Sequence, residues 1–401
     1  MLTEGMISAL IQKTDSKILL LVMDGLGGLA VNGKSEMEAA VTPNLDALVK
    51  TSVVGLADPV SPGITPGSGP GHLAIFGYDP VRYQIGRGVL EALGVDLEMT
   101  SRDVAARGNF CTIDANDVII DRRAGRLATV LNEELCAKLR HEIPAIDDVE
   151  LIIQPGKEHR FTVLFRGDGL DDRLTDADPQ KEGKKRIPTE TLDPAAKRTA
   201  FIVNKFLDRV KEVLREDHPA NAAVLRGFAK YPAIPDMSTR FGLRAAAIAT
   251  YPMYRGLAKL VGMDVLETGD TFADEIQTLR RHFSSYDFFY LHYKKTDSYG
   301  EDGNFEMKVK SIEEVDRHIP ELLSLGAEVF AITGDHSSPS ALKAHSWHPS
   351  PFLLHSKYCG VDVAGRFTER ECARGILGKI QAVEEMTLML ANALKLKKYG
   401  A

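Results

Sequence analysis

Three apolar segments of this chain end in acidic residues, and no other pattern constrains the fold as strongly. Asp24, Asp297 and Asp335 follow apolar runs at residues 17–23, 288–292 and 329–332. Continuous apolar runs of this length are typical of strands buried on both faces of a parallel sheet. A single acid at a strand end is more often a turn residue. Three of them, one followed directly by His336, favour a site outside the carboxyl ends of the strands.

The side chains in these segments are ligands that divalent metal ions prefer. Asp335 and His336 are followed by a second imidazole, His345, after one short loop. Carboxylates and imidazoles without thiols suit Mn²⁺, Mg²⁺ or Zn²⁺. The four cysteines form no CxxC pair, which argues against a zinc–thiolate site and fits a reducing compartment. Two ions about 4 Å apart would stabilise the attacking and leaving oxygens of a phosphoryl transfer.

A loop at residues 59–71 consists almost entirely of Pro, Gly, Ser and Thr, and it contains Ser68. Gly67 and Gly69 on either side allow close approach of other backbone. A serine hydroxyl bound to a metal ion could attack phosphorus directly. An ordinary serine in a flexible turn is an equally good interpretation of the residues alone.

The order of apolar patterns predicts two domains. Strands and helices alternate at both ends of the 401 residues, while several β-like segments and a polar loop occupy the middle. We therefore predict an α/β protein with a mostly parallel sheet flanked by helices, interrupted by a smaller α+β cap domain. The predicted boundaries are 1–97 and 220–401 for the metal-binding domain and 98–219 for the insert.

The insert contains basic side chains suited to binding anions. Arg122, Arg123 and Arg126 lie close together in the sequence, and His159 and Arg160 begin a predicted strand. Arginine binds phosphate and carboxylate through two parallel hydrogen bonds. A solvated basic loop is the commoner fate of such a cluster.

Net charge and hydropathy bear on which partners the protein binds and on where it is located. The formal net charge is −7, which argues against nucleic acid or an anionic membrane as partner. No apolar run approaches the roughly 18 residues that span a bilayer. Residues 1–17 lack the basic-then-apolar layout of a secretory signal. We expect a cytoplasmic enzyme, and phosphorylated substrates are not excluded because local arginine clusters can bind them inside an acidic protein.

Seven segments, in order and over nearly the whole chain, resemble the cofactor-independent phosphoglycerate mutases of the archaeal type, which belong to the alkaline-phosphatase superfamily. They are residues 19–28, 42–48, 65–77, 107–114, 121–126, 292–304 and 333–345. The resemblance implies an alkaline-phosphatase-like sheet, a closing cap domain and a site for two metal ions. It implies interconversion of 3-phosphoglycerate and 2-phosphoglycerate in glycolysis and gluconeogenesis, through a phosphoserine intermediate.

The resemblance also implies roles for individual residues. One ion would be held by Asp24, Ser68, Asp335 and His336, and the other by Asp297, His345 and the residue at position 301. Ser68 would be the nucleophile. The substrate contacts that we expect are His72, Arg122, Arg126, His159, Arg160, Arg240 and Lys294. For His72 a structural role is as good an interpretation.

The chain departs from the family pattern near the second ion. Glu301 stands where the family usually has a histidine, which favours Mg²⁺ or Mn²⁺ over Zn²⁺. We hypothesise that His348 lies near that ion and compensates for the lost imidazole. The alternatives are another phosphotransferase or phosphohydrolase on this scaffold, for example one similar to homoserine kinase, or a non-catalytic relative that binds a phosphorylated metabolite.

Overall fold

The computed structural model describes residues 4–400, so the first three residues of the N-terminal segment and Ala401 lie outside the described range. The strands are β1 (Ile18–Met23), β2 (Val53–Asp58), β3 (Asp103–Ile113), β4 (Ile119–Asp121), β5 (Ala145–Ile146), β6 (Val149–Pro155), β7 (Arg160–Arg166), β8 (Ala222–Lys230), β9 (Ala245–Ile248), β10 (Asp264–Val265), β11 (Phe288–Tyr293), β12 (Val329–Thr333), β13 (Ser350–Ser356) and β14 (Gly378–Gln381).

The helices are α1 (Glu4–Leu10), α2 (Glu36–Ala39), α3 (Pro43–Val49), α4 (Ser68–Ile75), α5 (Arg87–Gly94), α6 (Thr129–Glu142), α7 (Lys197–Val213), α8 (Met237–Phe241), α9 (Pro252–Leu260), α10 (Phe272–His282), α11 (Lys295–Glu301), α12 (Phe305–Leu323), α13 (Glu369–Cys372) and α14 (Glu385–Asn392). Short 3₁₀ turns occupy Ala124–Arg126, Pro194–Ala196 and Ala382–Glu384. None of these helices combines the length and the apolarity that crossing a membrane requires.

The first compact unit, called the sheet unit here, comprises the residues up to Gln84 and from Ile234 onward. Its described strands form one sheet in the order β10-β9-β11-β1-β12-β13-β2-β14. Strand β13 is antiparallel to both of its neighbours, and the other neighbouring pairs are parallel. This confirms the predicted α/β fold with a mostly parallel sheet.

Burial of strand β1 on both faces explains its uninterrupted apolar sequence. All six residues of ILLLVM are buried. Leu19, Leu21 and Met23 pack in a core with side chains of α3, α10 and α12. Each buried leucine or isoleucine contributes about 1.5–3 kcal/mol relative to exposure. The strand therefore has no face that polar residues could occupy without a large loss of stability.

The polar residues that follow the central strands lie at one edge of this sheet. Strand β1 lies between β11 and β12, and Val22 is paired with both His292 and Thr333. The three strands run parallel and end almost level, so the residues that follow them leave at the same edge. The apolar segments that precede Asp24, Asp297 and Asp335 are thus spatial neighbours.

The second unit, Ile85–Ala233, is called the inserted unit here. Strands β4-β3-β7-β6-β5 form an antiparallel sheet, and β8 pairs with β3. Its core joins Phe161 and Phe165 of β7 to Leu139 of α6 and Phe206 of α7. This is the α+β insert that the sequence predicts.

The inserted unit begins and ends about a dozen residues outside the predicted limits of 98–219. Helix α5 packs on β3, and β8 pairs with β3 from Val104 to Cys111. The apolar residues 222–225 read in the sequence as a strand of the main domain. Their pairing partner lies more than 100 residues earlier in the chain, so no local pattern assigns them to the insert.

Close packing at Gly71 generates a test of this fold. A Cβ at Gly71 in α4 would overlap the backbone oxygen of Asp335. We predict that Gly71→Ala lowers the free energy of unfolding by about 1–3 kcal/mol in urea denaturation, because backbone must move, although alanine is the better helix former. In Gly365→Ala the added Cβ meets nothing within 4 Å, so this control should stay near wild type. Equal destabilisation of both variants would contradict the close approach.

Candidate active site

Asp24, Asp335 and His336 converge at the carboxyl ends of β1 and β12, and all three are fully buried. His336 Nε2 lies 3.3 Å from Asp24 Oδ1 and 3.2 Å from Asp335 Oδ2. None of these three atoms has a hydrogen-bond partner of acceptable geometry among the described residues. Buried polar atoms are rarely left unpaired. Their convergence therefore fits a metal ion.

A second group of potential ligands shares the imidazole of His336. It consists of Asp297, His336 and His345, whose ligand atoms all lie within 4.8 Å of one another. The rings of His336 and His345 stack with their centroids 3.6 Å apart. Glu301 Oε1 lies 3.4 Å from His345 Nε2. The structure thus brings His336 to both groups, whereas the sequence assigned it to one.

Hydrogen bonds fix which nitrogen of each imidazole faces the ligand groups. His345 Nδ1 donates to the carbonyl oxygen of Pro66 at 3.0 Å, which leaves Nε2 facing Asp297. Ser338 Oγ donates to Asp297 Oδ1, so the 3.1 Å contact between His336 Nδ1 and Ser338 Oγ is donated by the imidazole. Metal-binding histidines in proteins almost always donate their other ring N–H in this way.

The charges around Asp24 keep this region anionic. Burial alone would raise the pKa of the Asp24 carboxyl, but the hydrogen bond from His292, the nearby imidazole of His336 and the charge of Lys294 hold it well below its usual value. Burial lowers the pKa of His336, yet Asp335 and Asp24 outweigh it and raise that pKa to about 9. A protonated His336 thus partly neutralises the charge of the two carboxylates. A divalent ion at this position would neutralise that charge more fully and would take the place of the proton.

Lys294 is a fixed cation between the two groups. Its Nζ lies 3.1 Å from Asp24 Oδ2 and also donates to Asp297 Oδ2. Burial alone would lower the pKa of Lys294, but the two carboxylates raise it above its usual value. The ammonium group therefore stays charged at neutral pH.

Ser68 is the first residue of α4 and is half-buried beside these groups. The glycine-rich sequence of this helix allows the close approach at Gly71 to the backbone of Asp335. Ser68 Oγ accepts a hydrogen bond from Tyr254 at 3.5 Å, and Tyr254 in turn accepts one from Lys294 at 2.9 Å. The predicted serine, Lys294 and the carboxylate of Asp24 therefore belong to one hydrogen-bonded chain.

His72 is fully buried one helical turn after Ser68. Its Nδ1 donates to the carbonyl oxygen of Ser68 at 2.9 Å and lies 3.1 Å from Asp335 Oδ2. These contacts orient the helix and the carboxylate, which favours the structural interpretation of His72 over direct substrate contact.

Two further predicted site residues of the sheet unit, Arg240 and His348, belong to neither group of potential metal ligands. The Arg240 guanidinium donates to the carbonyl oxygen of Gly77 at 2.8 Å and lies 4.8 Å from the ring centroid of Tyr78. His348 is hydrogen-bonded to Ser346 at 3.0 Å and belongs to neither group of potential ligands in the described chain. Substrate contact by Arg240 and metal proximity of His348 stay predictions.

The inserted unit contains a strongly basic cavity of about 350 Å³, called the arginine cavity here. It includes all four substrate contacts that the sequence predicts in the insert. The lining residues are Arg107, Asn109, Arg122, Arg123, Arg126, Glu158, His159, Arg160 and Arg226.

Strand pairing brings residues into the arginine cavity that were not among the predicted substrate contacts. Arg107 of β3 faces Arg226 of β8, and Asn109 of β3 faces Arg160 of β7. Arg107 and Arg226 are isolated basic residues in the sequence, more than 100 positions apart. The only sequence signal was the presence of Arg107 in a segment that resembles the family.

Unpaired donors and mutual repulsion characterise the arginine cavity. Nε of Arg107, Arg122 and Arg226 is buried without a hydrogen-bond partner among the described residues. Burial, together with the charges of Arg226 and Arg160, lowers the pKa of Arg107 to about 10 despite an ion pair with Glu91. Burial and Arg160 lower the pKa of His159 to about 4. These features fit binding of an anion, which would relieve the repulsion.

Comparison with known proteins identifies the family of this chain. The family model for 2,3-bisphosphoglycerate-independent phosphoglycerate mutase matches residues 50–221. A probable 2,3-bisphosphoglycerate-independent phosphoglycerate mutase from Thermotoga neapolitana is 57% identical over 98% of this chain and 98% of its own. A protein of the same description from Thermus thermophilus is 53% identical over 98% of each chain.

Solved structures show the same fold. The cofactor-independent phosphoglycerate mutase of Thermoplasma acidophilum has a TM-score of 0.77 at 28% identity, covering 94% of this chain and 100% of that one. The PH0037 protein of Pyrococcus horikoshii has a TM-score of 0.79 at 30% identity, covering 96% and 99%. The resemblance inferred from the sequence is confirmed: this chain belongs to the 2,3-bisphosphoglycerate-independent phosphoglycerate mutase family.

Proposed function

We propose that this chain interconverts 3-phosphoglycerate and 2-phosphoglycerate through a phosphoserine at Ser68. The observation that carries the proposal is the arrangement around His336, where two groups of potential metal ligands share one imidazole beside a serine hydroxyl. Both groups and the serine come from segments at one edge of the sheet. Membership of the mutase family supports the same reaction.

The side chains present fit two divalent ions, and enzymes of this family depend on metal ions in general. Asp24, Ser68, Asp335 and His336 would hold one ion, and Asp297, Glu301 and His345 would hold the other. Oxygen-rich donors favour Mn²⁺ or Mg²⁺. When bound, such ions lower the pKa of a coordinated hydroxyl and neutralise the charge of phosphate oxygens.

The residues of the chain itself account for the steps of phosphoryl transfer. Ser68 Oγ takes the phosphoryl group from the 3-oxygen of the substrate and returns it to the 2-oxygen of glycerate. Lys294 contributes a fixed positive charge beside the reacting serine. His72 orients Asp335 and the first turn of α4.

Capture of the substrate anion is the role we propose for the arginine cavity. Arg122, Arg126 and Arg160 would bind carboxylate or phosphate oxygens, and His159 would contribute a neutral imidazole. Glycerate must stay bound between the two transfers, because its escape would make the enzyme a phosphatase. A unit rich in anion-binding groups supports retention of glycerate. We also propose that the enzyme acts in the cytoplasm.

Substitution of Ser68 tests the nucleophile. We predict that Ser68→Ala abolishes conversion of 3-phosphoglycerate to 2-phosphoglycerate and removes the phosphoserine from acid-quenched protein. The reason is that alanine lacks the hydroxyl that would accept the phosphoryl group. Ser61→Ala is a matched control in the same loop, since Ser61 is exposed. Retention of wild-type turnover by the purified, folded Ser68→Ala enzyme would reject the role of Ser68. Phosphate release by wild type without 2-phosphoglycerate would reject the mutase reaction.

Titration of His159 tests anion binding in the arginine cavity. We predict that His159 in the free protein titrates with a pKa of about 4, which an NMR titration measures. Addition of 3-phosphoglycerate should raise this pKa, because a bound anion favours the imidazolium form. His141 is highly exposed and does not line the arginine cavity, so its ring signals serve as the internal control and should not change when 3-phosphoglycerate is added. An unchanged His159 pKa at saturating ligand would exclude this cavity as the binding site.

The substitution Glu301→Gln tests the second ion. Removal of the negative charge should weaken binding of one of two Mn²⁺ ions in titration calorimetry and leave the other unchanged, because the Glu301 carboxylate lies beside His345 of the second ligand group. Asp302 is an exposed neighbouring acid, so Asp302→Asn controls for general charge. A larger effect of Asp302→Asn than of Glu301→Gln would assign the ligand role to Asp302 instead.

A further inference from the structure

Tyr254 lies beside the candidate nucleophile, and the sequence gives no sign of it. The residue is in the first turn of α9, which follows β9 after a short connection. Its side chain is fully buried. In a helix of this apolar spacing, a tyrosine is usually interpreted as a core residue.

Two imidazole rings hold the aromatic ring of Tyr254 in place. Its centroid lies 3.9 Å from that of His292 with an interplanar angle of 29°, and 4.7 Å from that of His72 with an angle of 37°. His292 is itself bonded to Asp24 at 3.2 Å, and His72 is bonded to the carbonyl of Ser68. The position of the Tyr254 hydroxyl is therefore set by residues that contact the reacting region.

The direction of the hydrogen bonds follows from the chemistry of the partners. Lys294 Nζ lies 2.9 Å from Tyr254 Oη, and an ammonium group can only donate. The Tyr254 hydroxyl proton is therefore free to be donated onward, and Ser68 Oγ lies 3.5 Å away. The Asp24 carboxylate also lies within reach of the Tyr254 hydroxyl, but its Oδ2 already accepts from His292 and Lys294. A contact of 3.5 Å is long, and catalytic hydrogen bonds commonly tighten once substrate is bound.

We propose that Tyr254 is a further catalytic residue, whose hydroxyl donates a hydrogen bond to Ser68 Oγ and stabilises the negative charge on that oxygen. This inference rests on the proposed function. In the first transfer, the P–Oγ bond forms while the bond from phosphorus to the 3-oxygen breaks. In the second, the P–Oγ bond breaks, its electron pair returns to Oγ, and phosphorus bonds to the 2-oxygen.

Protons balance without any contribution from Tyr254. The 3-oxygen of glycerate gains one proton when Ser68 has lost one, and the 2-hydroxyl proton restores Ser68 in the return step. Tyr254 keeps its own proton throughout and acts only as a donor to the oxygen on which charge develops. Such preorganised donors contribute strongly in sites that exclude water.

Tyr290 provides a matched control for packing. It is also fully buried, and its ring lies 5.7 Å from His72 and 4.9 Å from Phe76. Its hydroxyl has no hydrogen-bond partner among the described residues. Tyr254→Phe and Tyr290→Phe therefore each remove one buried hydroxyl from the same aromatic cluster, and only the first loses the hydrogen bonds with Ser68 and Lys294.

The test compares both variants with the wild-type holoenzyme loaded with Mn²⁺. We expect Tyr254→Phe to lower kcat about 10²-fold with KM for 3-phosphoglycerate unchanged. We also expect the phosphoserine fraction during turnover to rise in acid-quenched protein measured by intact mass. The reason is that the lost hydrogen bond stabilises free Ser68 oxygen more than the oxygen of its phosphate ester. Tyr290→Phe should match wild type in both measurements.

Three outcomes would overturn the inference. If Tyr254→Phe keeps wild-type kcat, the hydroxyl has no catalytic role, while the mutase reaction stands. If both variants lose activity equally with no change in phosphoserine, Tyr254 acts only through packing. If wild type forms neither phosphoserine nor 2-phosphoglycerate, the proposed function and this inference fail together.

Discussion

The structure depends on bringing two ionised carboxylates, Asp24 and Asp335, together in a buried position. Two unit charges 4 Å apart repel by about 4 kcal/mol even at an effective dielectric constant of 20. His336 and Lys294 offset this repulsion, yet ligand atoms of both carboxylates stay unpaired among the described residues. An excess of negative charge at a buried site fits a divalent cation, which would relieve this repulsion.

Backbone contacts beneath the site maintain this unfavourable arrangement. Lys308 is buried in α12 and donates to the carbonyl oxygens of Gly25, Gly27 and Ser338 at 2.8–3.0 Å. It thereby joins the segment after β1 to the segment after β12. Burial lowers the pKa of Lys308, and the charges of Glu36 and other nearby acids oppose this shift. Support of this kind keeps the side chains of the candidate site in position.

The fold of the inserted unit also holds like charges together, and here the charges are positive. Arg107, Arg160 and Arg226 repel one another across neighbouring strands, and the antiparallel sheet holds them together. One unit of this protein thus presents an excess of carboxylate and the other an excess of guanidinium.

The sequence by itself determined the parallel sheet, because apolar strands buried on both faces leave a direct signal, and it determined the acids and His336 that follow those strands. Ser68 was also visible, through the glycine-rich segment around it. Only the tertiary structure decided that His336 belongs to both ligand groups, that Arg226 joins the arginine cavity and that Tyr254 contacts Ser68. These relations join residues far apart in the chain through strand order and helix packing. Local patterns record which face of an element is buried, but not which distant element covers it.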